Sequence, residues 1–578
     1  MGKTTKAEAL PNNHLTRYGD MSDLEQVQKL MGALLFSNAK DRAAQGYPSS
    51  RDEAIKLAGE AICKNIKTRG ALYNCNGIGY ILLRGQEAKP IRISPTDARF
   101  VDLLLTAYCI ATGSEAERRI GKFLGIRAVQ DGMKSSIRHF FYYNKETATA
   151  YIAEQVGQLL KITKDQIDHV PNGTDGNLFD FSESYQGYEI DLDYSSFMCG
   201  GIPRALVPSN TLKKVFAGIE FEPSRLTVEQ KKILVSTWII VMMLSGLIVE
   251  KPILQIIGPS GSGKTSMLEV IGRTLFGPEF KVERLTDDTK EFENAVINND
   301  FLALDNTTAI PKDIRSLICQ TVTGFRVTRR ELYTTMGQVQ RASTATLAVA
   351  GITKMLNETE TSNRSIDIRI KERAPGDNIS EQDLHNSIDW ERAELMGELL
   401  FRIQKVLKAL HAEDDYTPTT SLRLAGFASV ILRVARYEGW EPEAKALLAT
   451  WHEDQVEAAL EGEDLADLLA IWMSRPKWTP GTLSAAELNK ELCAIAAAHS
   501  MGETSWKGKP QWLGTQLSRS ISSYRRRFGL MIVDDTHNKA NLYRFEPTEE
   551  QLGLIRSADS RRSVGESKGE RKTQDLPL

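Results

Sequence analysis

The residues with the most specific chemistry in this sequence form a glycine-rich loop between a short apolar segment and a helical pattern. Four of the five residues at 253–257 are apolar and three of them are β-branched, and helical periodicity starts at 266. The loop comprises Gly258, Pro259, Ser260, Gly261, Ser262, Gly263, Lys264, Thr265 and Ser266. Glycines at this spacing let backbone N–H groups face inward and hold phosphate at the amino end of a helix. The pattern G-x-x-x-x-G-K-S/T therefore predicts an ATP site, in which Lys264 contacts the β- and γ-phosphates and Thr265 binds Mg²⁺.

A second predicted strand, 301–305, ends in a carboxylate about 40 residues downstream of the loop. Magnesium in such sites needs a carboxylate near its water shell, and Asp305 is predicted to supply it. The next residue, Asn306, stands where many such ATPases carry a glutamate that polarises the attacking water. An amide orients water but cannot accept its proton, so hydrolysis is slow or the base comes from elsewhere. Asp300 and Glu293 are candidates for that base by proximity.

Arginines follow at two places among the core elements. Arg326, Arg329 and Arg330 lie within five residues after a predicted helix. Their guanidinium groups would contact DNA phosphates, a neighbouring subunit's γ-phosphate or only solvent, and we assign Arg329 and Arg330 to DNA. Arg364 precedes the predicted strand 366–370, where it would reach a phosphate as a catalytic finger or sensor, or form a surface salt bridge.

The run 227–373 resembles P-loop ATPases of the AAA+/superfamily III helicase type, which occur in phages and integrated mobile elements. The motifs that carry the resemblance are the GPSGSGKT loop, Leu304-Asp305-Asn306, 328–333 and Asn363-Arg364. The resemblance implies a replicative helicase or primase-helicase that uses ATP and Mg²⁺ and encircles DNA as a homo-oligomer, with a hexameric ring suspected. It also implies that Arg364 acts across a subunit boundary, and many members share the Asp-Asn pair. One departure concerns the sensor strand, which ends in Ala350-Gly351-Ile352 instead of Asn-Gly-Ile, so Thr353 is the candidate substitute.

A separate basic module is predicted near the C-terminus. Six Lys or Arg residues and no Asp or Glu lie between 505 and 533, although the whole chain has 72 basic and 75 acidic residues, a net charge of -3. A predicted helix over 510–527 places Arg519, Arg525 and Arg526 on its polar face. Because two predicted strands follow this helix, the order is that of a winged helix, and the three arginines are predicted to contact DNA phosphates. A solvated basic face on a packing domain is the alternative.

The elements around these residues divide the chain into five parts. The fold class is therefore a multidomain α/β protein with a central AAA+-like P-loop core. The parts are an α+β N-terminal domain at 1–200, the ATPase core at 210–375, a helical region at 376–477, the winged helix at 478–546 and a disordered tail at 547–578.

Composition excludes several other classes of protein. Hydrophobic residues at 41% and charged residues at 25% are typical of folded globular proteins. The six cysteines form no C-x-x-C pair, so neither a zinc site nor a disulfide framework is expected. The apolar stretch 233–249 is too short to span a bilayer and is predicted to be a buried helix. Without an apolar leader, and with Lys6 where a myristoylation signal needs Ser or Thr, the chain is expected to be cytoplasmic and free of the membrane.

Asp191 and Asp193 form a pair of carboxylates that could indicate a primase, because paired carboxylates can hold the metals of nucleotidyl transfer. Only about 60 residues separate this pair from the phosphate-binding loop, too few for a polymerase core. The pair is therefore predicted to lie in a turn.

These features lead us to expect an ATP-dependent DNA helicase or translocase that acts in the replication of a phage or mobile element. Two alternatives stay open. One is a nucleotide-switched protein that binds or loads on DNA without unwinding it, and the other is an ATPase that acts on a protein partner, as in a defence system. Turnover of ATP with and without single-stranded DNA separates these classes.

Overall fold

The computed structural model describes residues 15, 18–85, 88–181, 185–192, 204–207, 212–305, 310–324, 326–330, 338–342, 345–356, 359–373, 380–412, 416–460, 464–499, 508–519, 521–535, 540–549, 551–553 and 555–556. Several predicted features lie outside these residues. They are Asn306, Asp193, the chain beyond 556, and the side chains of Arg329, Arg330 and Arg519.

The N-terminal part is a small sheet packed against helices. The helices are α1 (Leu24–Met31), followed by a π-helical turn at Gly32–Phe36, then α2 (Ala39–Ala44), α3 (Arg51–Arg69), α4 (Ala98–Tyr108) and α5 (Glu115–Asp131). The strands are β1 (Gly70–Cys75), β2 (Ile78–Leu83), β3 (Ile91–Arg92) and β4 (Met133–Ser135), in the spatial order β3-β2-β1-β4. Strand β2 is antiparallel to β1 and β3, whereas β4 is parallel to β1. The α+β character predicted for this region is confirmed.

A four-stranded antiparallel meander follows. It consists of β6 (Phe141–Asn144), β7 (Thr149–Gln155), β8 (Gln158–Ile162) and β9 (Ile167–Pro171), while β5 (Ile137–Arg138) pairs in parallel with β10 (Leu178–Phe179). Strands β6 and β7 form a hairpin whose turn follows Asn144. The meander shares one apolar core with the ATPase region, and the backbone N–H of Tyr143 donates to Ser245 O at 2.8 Å. The stretch predicted as one domain, 1–200, therefore divides near residue 136 into two packing units.

The central region is a five-stranded parallel sheet. Its strands are β11 (Ile253–Ile257), β12 (Glu283–Arg284), β13 (Phe301–Asp305), β16 (Thr346–Gly351) and β17 (Ser365–Arg369), in the spatial order β12-β13-β16-β11-β17. The helices are α6 (Val228–Met243), α7 (Lys264–Phe276), α8 (Thr289–Asn298), α9 (Lys312–Val322) and α10 (Thr359–Ser362). A separate antiparallel hairpin, β14 (Arg326–Arg330) and β15 (Gln338–Ala342), lies between α9 and β16. Because all five core strands are parallel, the loops that follow them meet at one edge of the sheet.

Helix α6 is the apolar stretch that the sequence predicts to be buried. Thr227 and Gln230 form a capping box at its start, and residues 234–243 are buried in the ATPase core. Among the described residues, none of the helices combines the length and apolar character that crossing a lipid bilayer requires.

Long helices follow the core sheet. They are α11 (Glu381–Leu410), α12 (Ala425–Tyr437) and α13 (Glu441–Leu460), which share the ATPase core, and α14 (Asp464–Ser474), which does not. Leu465, Leu468 and Leu469 of α14 pack in the C-terminal cluster instead. The C-terminal unit therefore starts near 464 and not at 478, because the apolar face of α14 is buried against that unit.

The C-terminal unit combines a three-stranded antiparallel sheet with helices. Its elements are β18 (Gly481–Ser484), α15 (Ala485–Ala498), α16 (Pro510–Arg519), α17 (Ile521–Phe528), β19 (Leu530–Asp535) and β20 (Ala540–Phe545), with the sheet order β18-β20-β19. The single helix predicted over 510–527 is wrong in detail, because two helices, α16 and α17, occupy that range. Leu513 and Leu517 of α16 and Tyr524 of α17 are fully buried and form the apolar face of this pair.

The predicted disordered tail begins too early in the chain. Thr548 and Gln551 cap a short helical segment, since the Thr548 N–H donates to Gln551 Oε1 at 2.7 Å and the Gln551 N–H donates to Thr548 Oγ1 at 3.2 Å. Ile555 is buried in the C-terminal cluster. The described residues between 547 and 556 therefore belong to this unit, because Leu552 and Ile555 lie one helical turn apart and both contact its core.

Candidate nucleotide-binding site

The glycine-rich loop connects β11 to α7 at the carboxyl edge of the sheet, as the sequence predicts. Gly261 and Gly263 have φ of +77° and +91°, a region that other residues enter only with strain. A β-carbon at Gly258 would lie 2.5 Å from Ile370 O, so the loop can enter the sheet only without a side chain there. Helix α7 starts at Lys264, which places its free N–H groups at the loop.

Lys264 is folded back over the loop. Its ammonium group donates to Gly258 O at 2.8 Å and to Pro259 O at 2.6 Å, and its side chain is buried, with the residue 9% exposed. Burial lowers the pKa of Lys264 below its usual value, whereas the nearby Asp305 opposes this effect. A phosphate entering the loop would replace two neutral carbonyl acceptors with an anion, so the cation is already positioned for that ligand.

The two predicted magnesium ligands lie together. Thr265 Oγ1 donates to Asp305 Oδ2 at 2.5 Å, which joins the start of α7 to the end of β13. A hydroxyl and a carboxylate oxygen that lie side by side can serve as ligands of Mg²⁺, which prefers oxygen ligands and keeps several waters. The described residues at this position therefore fit the metal.

The serines of the loop differ in position. Ser262 is fully buried and its hydroxyl donates to Pro259 O at 2.8 Å, so this side chain stabilises the loop itself. Ser260 is exposed at the tip, and Ser266 is half-buried in the first turn of α7. Ser260 and Ser266 are thus placed where a nucleotide can contact them.

Asp300 does not lie at the loop, which contradicts its candidacy as a base. It precedes β13, and its carbonyl accepts from the Thr346 N–H at 2.8 Å at the amino edge of the sheet. Since β13 is five residues long, Asp300 and Asp305 are separated by roughly 17 Å of extended strand. Glu293 lies on α8, and its candidacy as the base stays a prediction.

Arg364 also lies at the amino edge, away from the loop of its own chain. Its backbone carbonyl accepts a hydrogen bond at 2.9 Å from the N–H of Ile253, and Ile253 is the first residue of β11. The residue is 5% exposed, so a surface salt bridge does not describe it. Contact with ATP would require the site of another copy, and that role stays a prediction.

Arg373 lies at the loop, although the sequence analysis did not single it out. It follows β17, the strand beside β11, and its guanidinium group packs on the loop so closely that a β-carbon at Gly263 would lie 2.4 Å from Nη2. Its Nε is buried and has no hydrogen-bond partner in the part of the chain that the structure describes. A guanidinium group whose buried Nε donor is unused, at a phosphate-binding loop, is placed to bind an anion. In the sequence, the feature that could have indicated this role is the position of Arg373 shortly after the last core strand.

The arginines of the basic module differ in their surroundings. Arg525 is exposed, whereas the guanidinium of Arg526 lies 3.2 Å from His452 Nδ1 on α13. Burial lowers the pKa of Arg526, and burial and then Arg526 lower the pKa of His452. Arg526 therefore contacts the helical region, and Arg525 is the better placed of the two for a phosphate.

Arg329 and Arg330 lie on the β14–β15 hairpin. Arg329 pairs with Val339 and Arg330 with Gln338 in the antiparallel register. Because this hairpin is not part of the five-stranded sheet, it can present residues away from the core.

Comparisons with known proteins bear on the central region. Residues 223–444 match the model of the actinomycete integrative conjugative element replication protein family. No curated protein matches the chain. Among solved structures, the apo A form of the NrS-1 C-terminal region is 10% identical over 84% of this chain and 98% of that chain, with a TM-score of 0.36. The SCCmec type IV Cch active helicase is 11% identical over 84% of this chain and 94% of that chain, with a TM-score of 0.39.

Proposed function

We propose that this chain is an ATP-dependent DNA helicase or translocase that acts in replication of a mobile element. The observation that carries the proposal is the arrangement at the carboxyl edge of the sheet, where Lys264, Thr265 and Asp305 lie around one glycine-rich loop. The family match at 223–444 contains this whole arrangement and supports a role in replication.

In the proposed reaction, the loop N–H groups and Lys264 bind the phosphates of ATP. Thr265 and Asp305 would hold Mg²⁺, which neutralises charge on the transferred phosphoryl group. Arg373 would turn its unused donors toward the same phosphates from the β17 side of the loop. These contacts position the γ-phosphate, and positioning with charge stabilisation supplies most of the catalysis in this class of reaction.

The sheet order supports a sensor at the end of β16. This strand lies between β11 and β13, and the Gly258 N–H donates to Gly351 O at 3.1 Å, so the residues after Gly351 adjoin the loop. Lys354 forms an ion pair with Asp367 at 2.8 Å, so its ammonium group is already engaged and is not the expected phosphate contact. Thr353 is exposed, so it remains the candidate for a polar contact with the γ-phosphate.

DNA would contact two further places on the chain. We place one at the β14–β15 hairpin through Arg329 and Arg330. The other is the C-terminal unit, where the order α14, β18, α15, α16, α17 and the hairpin β19–β20 supports the proposal of a winged helix. Helices α16 and α17 would then face DNA. Their exposed residues include Gln511, Thr515 and Ser518 on α16 and Arg525 on α17.

A nucleotide switch without unwinding is the second candidate. It is favoured by the amide at Asn306 together with the distant position of Asp300, because neither can accept a proton from water at the loop. ATP binding and slow hydrolysis would then control assembly on DNA.

A strand-displacement assay separates the two candidates. A forked duplex with a labelled strand is incubated with the protein, Mg²⁺ and ATP, and release of the strand is followed over time. The helicase proposal expects release with the wild type, no release with Lys264→Ala, and normal release with Lys290→Ala, an exposed lysine on α8. Binding of the fork without any strand release would favour the switch.

A further inference from the structure

An open cleft lies in the N-terminal unit, far along the chain from the proposed ATP site. Its volume is about 620 Å³, which is in the range of pockets that enclose a small ligand. One wall is the sheet, with Gly79 and Arg92, and the other is helix α5, with Arg118, Lys122 and Ile126. The two walls can come close because the sheet has a glycine at their contact. A β-carbon at Gly79 would lie 2.8 Å from the Ala128 side chain of α5.

The cleft gathers cations without acidic partners. Arg118 and Lys122 lie one helical turn apart on α5, and Arg92 faces them from β3. None of the three forms an ion pair or hydrogen bond with its side chain in the part of the chain that the structure describes, and all three are exposed. Three cations that line one cleft and have no acidic partner there suit an anionic ligand.

The other cations of α5 provide a contrast. Arg119 pairs with Asp52 at 2.6 Å and with Glu115 at 3.2 Å, and Arg127 pairs with Asp131 at 3.5 Å. The acids in these pairs, Asp52, Glu115 and Asp131, do not line the cleft.

The one acidic residue in the cleft wall is engaged elsewhere. The Glu117 carboxylate accepts a short hydrogen bond from the Gly113 N–H at the start of α5, and the residue is 5% exposed. It thus stabilises the turn before the helix and does not neutralise Arg118 or Lys122.

Beyond the cations, the cleft wall becomes apolar. Ile126 lies one turn after Lys122 and is 48% exposed, and Val129 and Gln130 follow it in the lining. A ligand that fits this order carries phosphate at one end and a flat, weakly polar group at the other. Guanidinium groups match phosphate oxygens, the aliphatic ledge can cover the face of a base, and the Gln130 amide can contact a base edge.

We propose that this cleft binds single-stranded nucleic acid, with backbone phosphates on Arg92, Arg118 and Lys122 and a base against Ile126. The site is separate from the ATPase core, so the inference does not depend on ATP hydrolysis or unwinding.

Photo-crosslinking in the full chain tests the proposal locally, although other parts of the chain can also bind DNA. Benzoylphenylalanine replaces Ile126, and a labelled single-stranded oligonucleotide is the probe. The same amino acid in place of Phe36, which is 65% exposed but outside the cleft, is the positional control. We expect crosslinking at 126 and none at 36.

A charge variant tests the contacts themselves. Arg92→Ala, Arg118→Ala and Lys122→Ala together should reduce crosslinking at 126 at least tenfold and lower the salt slope of log K by about 2, since each single-strand contact releases about 0.7 counterion. Lys40→Ala, Lys56→Ala and Arg84→Ala remove the same charge from exposed positions outside the cleft and should change neither. Basal ATP turnover and the melting temperature should stay at wild-type values in both variants.

Several results would overturn the proposal. They are absence of crosslinking at 126, equal loss in the two triple variants, and displacement of the oligonucleotide by ATP alone, which would indicate a mononucleotide site. Displacement by polyglutamate at matched charge would indicate an acidic protein partner instead. Absence of ATPase activity with intact crosslinking would refute the proposed function and leave this site in place.

Discussion

Thr265 Oγ1 and Asp305 Oδ2 form a 2.5 Å hydrogen bond although 40 residues separate them in the chain. The parallel sheet brings them together, because the loop after β11 and the end of β13 lie at the same edge. This pair, together with Lys264, defines the candidate ATP site, and the following predictions test its parts.

Lys264→Ala should lower ATP turnover roughly 100-fold or more, because it removes a positioned cation from the phosphates. The melting temperature should change little, since the two acceptors of the ammonium group are loop carbonyls that water can reach once the side chain is shortened. Turnover and thermal melting of the purified variant check both statements. Wild-type turnover in a folded variant would refute the site.

Asp305→Ala should abolish Mg²⁺-dependent turnover, whereas Asp305→Asn should keep partial activity at a higher Mg²⁺ concentration, because an amide oxygen is a weaker ligand. A magnesium titration of turnover measures the shift. If both variants show the wild-type magnesium dependence, Asp305 is not a ligand.

Asn306→Glu tests whether the missing carboxylate limits hydrolysis. A clear rise in turnover would show that wild-type hydrolysis is limited by the lack of a base next to Asp305. No rise would show that water is activated by another group, and the comparison with Asn306→Gln controls for side-chain length.

Arg373→Ala should weaken ATP binding by about 1.5–3 kcal/mol, the range for a hydrogen bond to a charged group. Stability without nucleotide should not fall, because Nε is buried without a described partner and its loss removes a desolvation cost. Titration calorimetry with ATP and thermal melting measure the two effects. The exposed neighbour Lys371→Ala is the control, and equal ATP affinity in both variants would contradict the assignment.

The sequence alone determines part of this site. The loop and its flanking strand and helix were predictable, since glycine spacing and β-branched residues specify them locally. Asp305 was predictable from its position at the end of an apolar strand. Arg373 was not, because its role depends on β17 lying beside β11, and strand order is decided by packing between distant segments. The amino-edge position of Asp300 required the same knowledge.

Other features show the same division between local and distant causes. The hairpin around Asn144 and the buried face of Leu513, Leu517 and Tyr524 follow from local periodicity. The assignment of α14 to the C-terminal unit does not, since an apolar helix between two units can pack on either. The burial of Ile555 was missed because a single helical turn carries too few residues for a periodic pattern.

Arg525→Ala should reduce the salt slope of duplex DNA binding by about 0.9 if Arg525 contacts one phosphate. Arg526→Ala should act partly through stability, because its guanidinium contacts His452. Binding titrations at several salt concentrations, with thermal melting of each variant, separate the two effects. Unchanged DNA affinity for Arg525→Ala at low salt would contradict the proposed DNA-binding face.

Arg364 stays the predicted contact to the ATP site of a neighbouring copy, and because the residue is only 5% exposed, thermal melting must show that Arg364→Ala folds. Each of Arg364→Ala and Lys264→Ala should be inactive alone, and their mixture should regain part of the turnover through composite sites that contain both intact residues. Turnover of the mixture over a range of ratios checks this. A mixture as inactive as its components would contradict a shared site.

ATP turnover of the purified chain, measured with and without single-stranded DNA, tests the central claim most directly. The account predicts Mg²⁺-dependent turnover that rises several-fold when DNA is added and that disappears in Lys264→Ala under both conditions. Turnover that is unchanged by DNA would contradict a helicase or translocase and favour an ATPase that acts on a protein partner. Absence of any turnover in the folded protein would contradict the assignment as an ATPase.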